Sequence, residues 1–258
     1  MKFSVITVCK NSALSVSRTI QSVLDQTYAD FEFIIIDGSS TDGTIQRIQQ
    51  FKDKRITFVS EPDLGIFNAM NKGVAFSSGA VLSILNSDDF YLPNTLEQVA
   101  NFFMANPDVD ILCGDVLKRE RDGRTEILVA DIDKLDTQMM PHPGVFIRVC
   151  DGYSVYFDER YTVASDYDLL LRIQTSGRKI ARLPRAIAHY SSGGFSDSPS
   201  NRILSIFETH DIQKRHISNS FRLILRKYRF ILGTILRRDN RLAMVKSMIS
   251  CVRNWGFL

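Results

Sequence analysis

The segment "LNSDDFYLP" (residues 85–93) sets two acids, Asp88 and Asp89, side by side at the end of an apolar run. Their like charges repel. Such a pair suits a hard divalent cation, which prefers oxygen ligands and is commonly shared between one or two carboxylates and substrate phosphates. The competing reading is a turn with a cap for the helix that "LPNTLEQV" would start. Three further stretches carry polar groups at suggestive spacings. "IIIDGSSTDG" places Asp37 and Asp42 before glycines in turn dipeptides, where Asp42 fits as a helix cap. "EPDLGIFNAMNKG" puts Asn68 and Asn71 three apart, on one face of a helix, with Lys72 beside them. "VASDYDLLLR" holds Asp166 and Asp168, two apart and so on different sides of a helix, where the helix dipole favours acids in the first turn. Two histidines complete the set, His142 in "PHPGVF" and His189 in "AHYSSGGFS", the latter beside a Ser/Gly loop able to close over a substrate.

The elements that must position these groups alternate. "FSVITV", "FEFIIID", "ITFVSE", "AVLSILN" and "DILCGD" are short apolar runs rich in Val, Ile, Phe and Leu, which read as buried strands. Between them come helical spacings: Val16, Ile20, Val23 and Leu24; Ile45 and Ile48; Leu96, Val99, Phe102 and Phe103. This alternation implies an α/β fold, with a mainly parallel sheet and helices on both faces. Ligands in such sheets bind at the carboxyl ends of the strands, which is where "TVCKNS", "IDGSSTDGT", "SEPDLG" and "LNSDD" fall. Farther on, "VLKRERDGRTEILV" reads as a hairpin turning at Asp122-Gly123, "HPGVFIR" and "RKIARLPRAIAHY" as strands, and "SDYDLLLRIQTSG" as a helix with a glycine stop.

Composition sets the frame. The 258 residues are 44% hydrophobic and 24% charged, as in a globular protein of one large domain with an appendage. Charge is unevenly spread: residues 201–258 hold 12 Lys/Arg against 3 Asp/Glu, a balance of +9, and residues 1–200 hold 20 against 26, a balance of −6. A division into residues 1–200 and a basic amphipathic tail, 201–258, follows. In the tail, Phe221, Ile224, Leu225, Tyr228, Ile231, Leu232 and Ile235 form one helical stripe, and Leu242, Val245, Met248, Ile249 and Val252 form another that leads to Trp255 and Phe257. Basic helices ending in aromatics suit an anionic membrane surface; packing on the main domain or on a second copy in a homodimer is the alternative. Cys9, Cys113, Cys150 and Cys251 have no metal or redox spacing and read as reduced, buried thiols. Neither a signal peptide nor a spanning helix is expected, and without a recognised motif the basic tail does not indicate nucleic acid.

Taken in order, "VITVCKNS", "FIIIDGSSTDGT", "EPDLGIFNAMNKG", "LNSDD" and "ASDYDLLLR" resemble the family-two glycosyltransferases, of bacterial exopolysaccharide, capsule or O-antigen type, across roughly residues 3–195. The resemblance implies a Rossmann-like, A-type nucleotide-diphospho-sugar transferase fold with a helical C-terminal tail. It implies an inverting transfer from a nucleotide sugar, a UDP-sugar, to a hydroxyl of a glycan or lipid-linked acceptor, at the inner face of the cell membrane in the cytoplasm. By the same resemblance Asp88 and Asp89 hold Mn²⁺ or Mg²⁺ on the donor diphosphate. Asp37 reads uracil, accepting from its imide N–H as only an acceptor can; Thr7, Cys9 and Asn11 cover base and ribose. Asn68, Asn71 and Lys72 face the donor sugar and phosphates, although Met70 stands where the family often has Arg. Asp166 is the base that deprotonates the acceptor, and His142 and His189 lie on the acceptor side of the site. A nucleotidyltransferase, or a binding subunit without turnover, is the rival reading.

Overall fold

The computed structural model describes residues 1–119, 123–149 and 154–217. β1 (Phe3–Cys9), β2 (Phe31–Asp37), β3 (Ile56–Ser60) and β4 (Val81–Ile84) run parallel, joined through α1 (Val16–Leu24), α2 (Thr44–Gln49) and α3 (Ile66–Phe76). There follow β5 (Phe90–Tyr91), α4 (Thr95–Ala105), β6 (Ile111–Arg119), β7 (Thr125–Leu128), β8 (Val145–Arg148), α5 (Ser165–Thr175), β9 (Ile180–Ser191) and α6 (Pro199–His216). Among the described residues one sheet has the order β3-β2-β1-β4-β8-β6-β9-β5, with β7 on β6. β8 is antiparallel to both β4 and β6, while β9 runs parallel to β6 and β5 antiparallel to β9. The sheet is therefore mixed, with its parallel half formed by the first four strands.

The apolar runs of the sequence reflect burial on two faces. Every residue of β1 is buried. Phe3 and Val5 enter one core layer with Val16, Ile20 and Val23 of α1 and Leu96 and Val99 of α4. Ile6 and Val8 enter the other with Phe67 and Met70 of α3 and Leu169 to Leu171 of α5. Successive strand side chains point to opposite faces, so a strand covered on both sides cannot alternate apolar with polar. The charged hairpin forms as expected, with Arg119 opposite Thr125; Asp122 of its turn lies outside the described residues.

A helix, α6, lies across the division expected after residue 200. α6 begins at Pro199, capped by Ser198, and packs on α5 with Ile203 and Ile212 buried. Glu208 of α6 is itself buried; its Oε1 accepts from Thr162 N at 2.7 Å, and its Oε2 from Val163 N and Ala164 N at 2.8 and 2.9 Å. These amides lead into α5, whose N-cap residue Ala164 has no side chain able to accept. A carboxylate from another helix thus does the capping, where the dipole favours negative charge. Residues 199–217 belong to the folded body. The tail stripes beyond them, with Trp255 and Phe257, lie outside the described residues, as do Cys150 and Cys251. Cys9 and Cys113 are buried free thiols, and no helix among the described residues is long and apolar enough to cross a membrane.

Candidate active site

A cleft of about 750 Å³ opens at the carboxyl ends of the parallel strands. Its walls come from the β1 end (Cys9 to Ser12), the loop after β3 (Asp63 to Gly65), the start of α3, the loop after β4 (Asn86 to Asp88), the approach to α5 (Glu159, Tyr161, Thr162) and the loop after β9 (Gly193 to Ser196). The edge picked out by the strand endings is the edge that carries the cleft.

The structure separates the two adjacent acids. Asp88 lines the cleft, and its backbone carbonyl accepts from Arg18 at 3.0 Å and from Ser191 Oγ at 2.7 Å. The loop after β9 passes close to its carboxylate: a Cβ on Gly194 would come within 2.7 Å of Asp88 Oδ2. Asp89 turns inward: it is fully buried and is not in the cleft wall, whereas Asp88 is. Its Oδ1 accepts from Ser191 N at 2.9 Å, while Oδ2 is buried without a partner among the described residues. Burial, followed by the neighbouring Asp88 charge, pushes its pKa well above the usual carboxylate range. Asp89 is a structural acid that locks the loop to β9. Asn86, two residues before Asp88, also lines the cleft, and its Oδ1 is buried with no partner among the described residues.

Asp37 is also committed elsewhere. It is fully buried at the end of β2, where Oδ1 accepts from Ser40 Oγ and from Cys9 Sγ at 3.6 Å. Oδ2 accepts from Ser40 N at 3.0 Å and Ser60 Oγ at 2.7 Å. Four donors fill the acceptor positions of a carboxylate, so Asp37 organises the loop and has none left for a base. Asp63 is the acid on the cleft at this point, its Oδ2 standing 2.1 Å from where a Cβ of Gly38 would be. Thr7 is buried and donates to Leu85 O at 2.7 Å, tying β1 to the end of β4 away from the cleft. Cys9 and Asn11 do line the cleft; burial and then Asp37 push the Cys9 thiol up, keeping it protonated, and Asn11, at φ 52°, accepts from Thr41 N at 2.9 Å. Asp42 accepts from Thr44 N at 3.1 Å in the first turn of α2, as a capping residue would.

On α3 the asparagines share a face, and Asn68 reaches the cleft. Asn71 instead clamps the backbone of Phe157 from both sides, accepting from its N at 2.7 Å and donating to its O at 2.8 Å. Lys72 pairs with Glu61 at 2.7 Å and donates to Pro62 O at 2.8 Å, so it pins the loop after β3. Both asparagine amides point at Glu159, a cleft residue that nothing in its charged "DER" surroundings singles out.

Asp166 and His142 come together at the start of α5, with Nδ1 of His142 3.4 Å from Asp166 Oδ2. They border a cavity of about 20 Å³ lined mostly by apolar side chains, including Met140, Phe157, Leu169 and Leu170, and neither is in the wall of the main cleft. Burial raises the Asp166 pKa against the opposing pull of His142 and the Tyr167 amide, and burial lowers that of His142. Asp168 is more than a first-turn charge: its carboxylate is buried between Arg172 Nε at 2.7 Å and His216 Nε2 of α6 at 2.9 Å. His189 is buried behind the site, stacked on Phe90 at 4.4 Å, with the Arg18 guanidinium over that ring at 4.4 Å. It packs beside the Asp88 loop and is not in the cleft wall.

The cleft is rich in acids: Asp42, Asp63, Asp88 and Glu159 line it, with Lys10 as the opposing charge. Two unit charges about 4 Å apart interact by roughly 1 kcal/mol in water and about 4 at a protein surface, so an anionic diphosphate entering alone would be repelled. Among the described residues no three His, Cys, Asp or Glu side chains gather into a metal cage. One carboxylate, Asp88, with the unpartnered amide oxygen of Asn86 nearby, fits a cation of the Mg²⁺ class that takes most of its ligands from phosphate and water.

The sequence pattern of Glycosyl transferase family 2 matches residues 4–159, ending just before α5. A PGL/p-HBAD biosynthesis glycosyltransferase of Mycobacterium tuberculosis is 30% identical over 204 residues, covering 76% of this chain and 79% of that one. Among solved structures, S. aureus TarS 1–349 with UDP-GlcNAc superposes with a TM-score of 0.67 at 20% identity over 82% of this chain and 66% of that chain, so this chain spans about two thirds of it. The mannosyltransferase PcManGT of Pyrobaculum calidifontis, with GDP-Man and Mn²⁺, superposes with a TM-score of 0.63 at 16% identity over 99% of this chain and 83% of that chain. With the family pattern covering more than half of its length and a curated relative matched across most of its own, this chain belongs to glycosyl transferase family 2.

Proposed function

We propose that this family member is an inverting, divalent-metal-dependent transferase that moves a sugar from a nucleotide sugar, a UDP-sugar, to a hydroxyl of a glycan or lipid-linked glycan in bacterial surface polysaccharide synthesis. The observation that carries the reading is Asp88 beside the Gly193–Gly194 crossing, in an acid-rich cleft where a cation would offset the repulsion of a diphosphate. The UDP-GlcNAc in TarS and the GDP-Man with Mn²⁺ in the Pyrobaculum calidifontis mannosyltransferase support a donor and a metal of this kind. Asp88 and Asn86 would hold the cation, which when bound takes up charge on the departing diphosphate. Cys9, Asn11 and Asp63 line the nucleotide end. Asp166, paired with His142, takes the proton from the acceptor hydroxyl as that oxygen bonds to the anomeric carbon and the donor's bond from that carbon to the phosphate oxygen breaks. A single displacement of this kind inverts the anomeric centre.

Asp88→Ala is expected to weaken Mn²⁺-dependent UDP binding by roughly 100-fold or more, since loss of even an outer-shell group costs 10- to 100-fold in metal affinity. Calorimetry of UDP with and without Mn²⁺ measures this, and equal binding by variant and wild type would remove the metal role. The chain beyond residue 217 is proposed to hold the enzyme to anionic membrane. Flotation with anionic liposomes should show binding that added salt releases in part, because each basic residue near such a surface contributes about 1 kcal/mol within a Debye length. A protein that stays unbound at low salt would assign the tail to protein packing.

A further inference from the structure

Asn68 and Asn71 are fixed with their NH₂ groups turned the same way. The carbonyl of Asn71 accepts from Phe157 N at 2.7 Å and that of Asn68 from Leu64 N at 3.2 Å, so backbone amides settle which end of each side chain is which. The NH₂ groups then donate to the two oxygens of one carboxylate, Asn71 to Glu159 Oε1 at 2.8 Å and Asn68 to Oε2 at 3.1 Å. Glu159 is exposed on the cleft wall. Its sequence neighbours are spoken for, Arg160 by Asp158, and no ion pair of Glu159 forms among the described residues. A carboxylate accepts about four hydrogen bonds, two on each oxygen. Among the described residues each oxygen has one amide donor and so a further acceptor direction, and the two amides hold the group in place before any ligand arrives.

We infer that Glu159 is a receptor for sugar hydroxyls: its two oxygens accept from a pair of neighbouring hydroxyls on a neutral sugar ring, and its charge disfavours sugars that bear a carboxylate. A carboxylate has no donor of its own, so it pairs with hydroxyl hydrogens and opposes another anion. For the donor sugar this rests on the nucleotide-sugar reading of the cleft; for a sugar of the acceptor it does not. The asparagines, which sequence spacing puts forward as sugar contacts, act through Glu159 as its positioning residues.

The test uses the full chain with Mn²⁺. Calorimetry with UDP, UDP-glucose, UDP-galactose, UDP-N-acetylglucosamine and UDP-glucuronic acid is run on wild type, Glu159→Gln and Glu159→Ala. Saturation-transfer NMR with neutral methyl glycosides, without nucleotide, forms the second arm. Glu159→Ala should erase the affinity that the best neutral UDP-sugar gains over UDP, by about 10- to 100-fold, the size expected for hydrogen bonds to a charged group. UDP binding and melting temperature should stay at wild-type values. Glu159→Gln should narrow the gap between UDP-glucose and UDP-glucuronic acid. Loss confined to the glycoside arm would support the inference with the acceptor as the source of the hydroxyls. Unchanged binding in both arms, or tighter binding by the variants, would overturn it. If UDP fails to bind even wild type, the nucleotide reading falls, and the glycoside arm alone decides the role of Glu159.

Discussion

Asp166→Asn is expected to lower sugar transfer by about 10²-fold or more while leaving the binding of UDP and Mn²⁺ unchanged, because a positioned base contributes on that scale and the amide keeps its size. Asp166 sits at the start of α5, five-sixths buried, with Oδ1 accepting from Tyr167 N at 2.9 Å. Burial raises its pKa, which brings a carboxylate closer to the range where it is both ionised and basic enough to take a proton. Only the deprotonated form works as a base, so transfer should fall as pH drops through that raised value. His142 pulls the other way at 3.4 Å, and His142→Ala should therefore move the acidic limb of the profile to higher pH. Steady-state transfer across pH, with donor binding measured in parallel, checks both. Near-normal turnover in Asp166→Asn would send the proton elsewhere. Glu159 would then be the group to examine, since it is on the cleft wall; Asp168 is excluded by its pairing with Arg172 and His216.

The second large effect is on stability. Glu208→Ala strips the partner from three amides, of which those of Val163 and Ala164 are buried. A buried polar group left unsatisfied costs about 1–3 kcal/mol, so the variant should lose roughly 3–5 kcal/mol. At about 2–4 °C per kcal/mol for a chain of this size, the melting temperature should drop by on the order of 10 °C. Glu208→Gln keeps an acceptor oxygen and should lose less. Denaturant unfolding of all three proteins measures the difference; a loss under about 1 kcal/mol in Glu208→Ala would mean that water or rearrangement satisfies the turn without the carboxylate.

Much of this architecture can be read from spacing alone. Apolar runs such as "FEFIIID" mark strands covered on both faces, and the position of the polar endings marks the cleft. The finer assignments fail where a side chain's partner lies far away along the chain. Asp37 reads as free until Ser60, 23 residues on, is seen to donate to it. Asp168 reads as a dipole charge until His216 arrives from 48 residues away. Asp88 and Asp89 are chemically identical in sequence, and only the path of the loop, stitched to Ser191, decides which one faces the cleft. Glu159 gives no local signal at all, because its meaning comes from two asparagines on α3. The boundary after residue 200 was drawn from charge, which reports the surface, whereas α6 is anchored by what it buries.

That anchoring bears on how the enzyme could diversify. A C-terminal appendage can be swapped between relatives by recombination only where the join leaves both sides whole. A crossover at residue 200 would separate Glu208 from the amides ahead of α5 and His216 from Asp168, so a hybrid would need a matching helix to keep the start of α5 in place. A join placed after residue 217 leaves both of these contacts whole. Upstream of that point, α6 and the body it packs on are expected to be exchangeable only together.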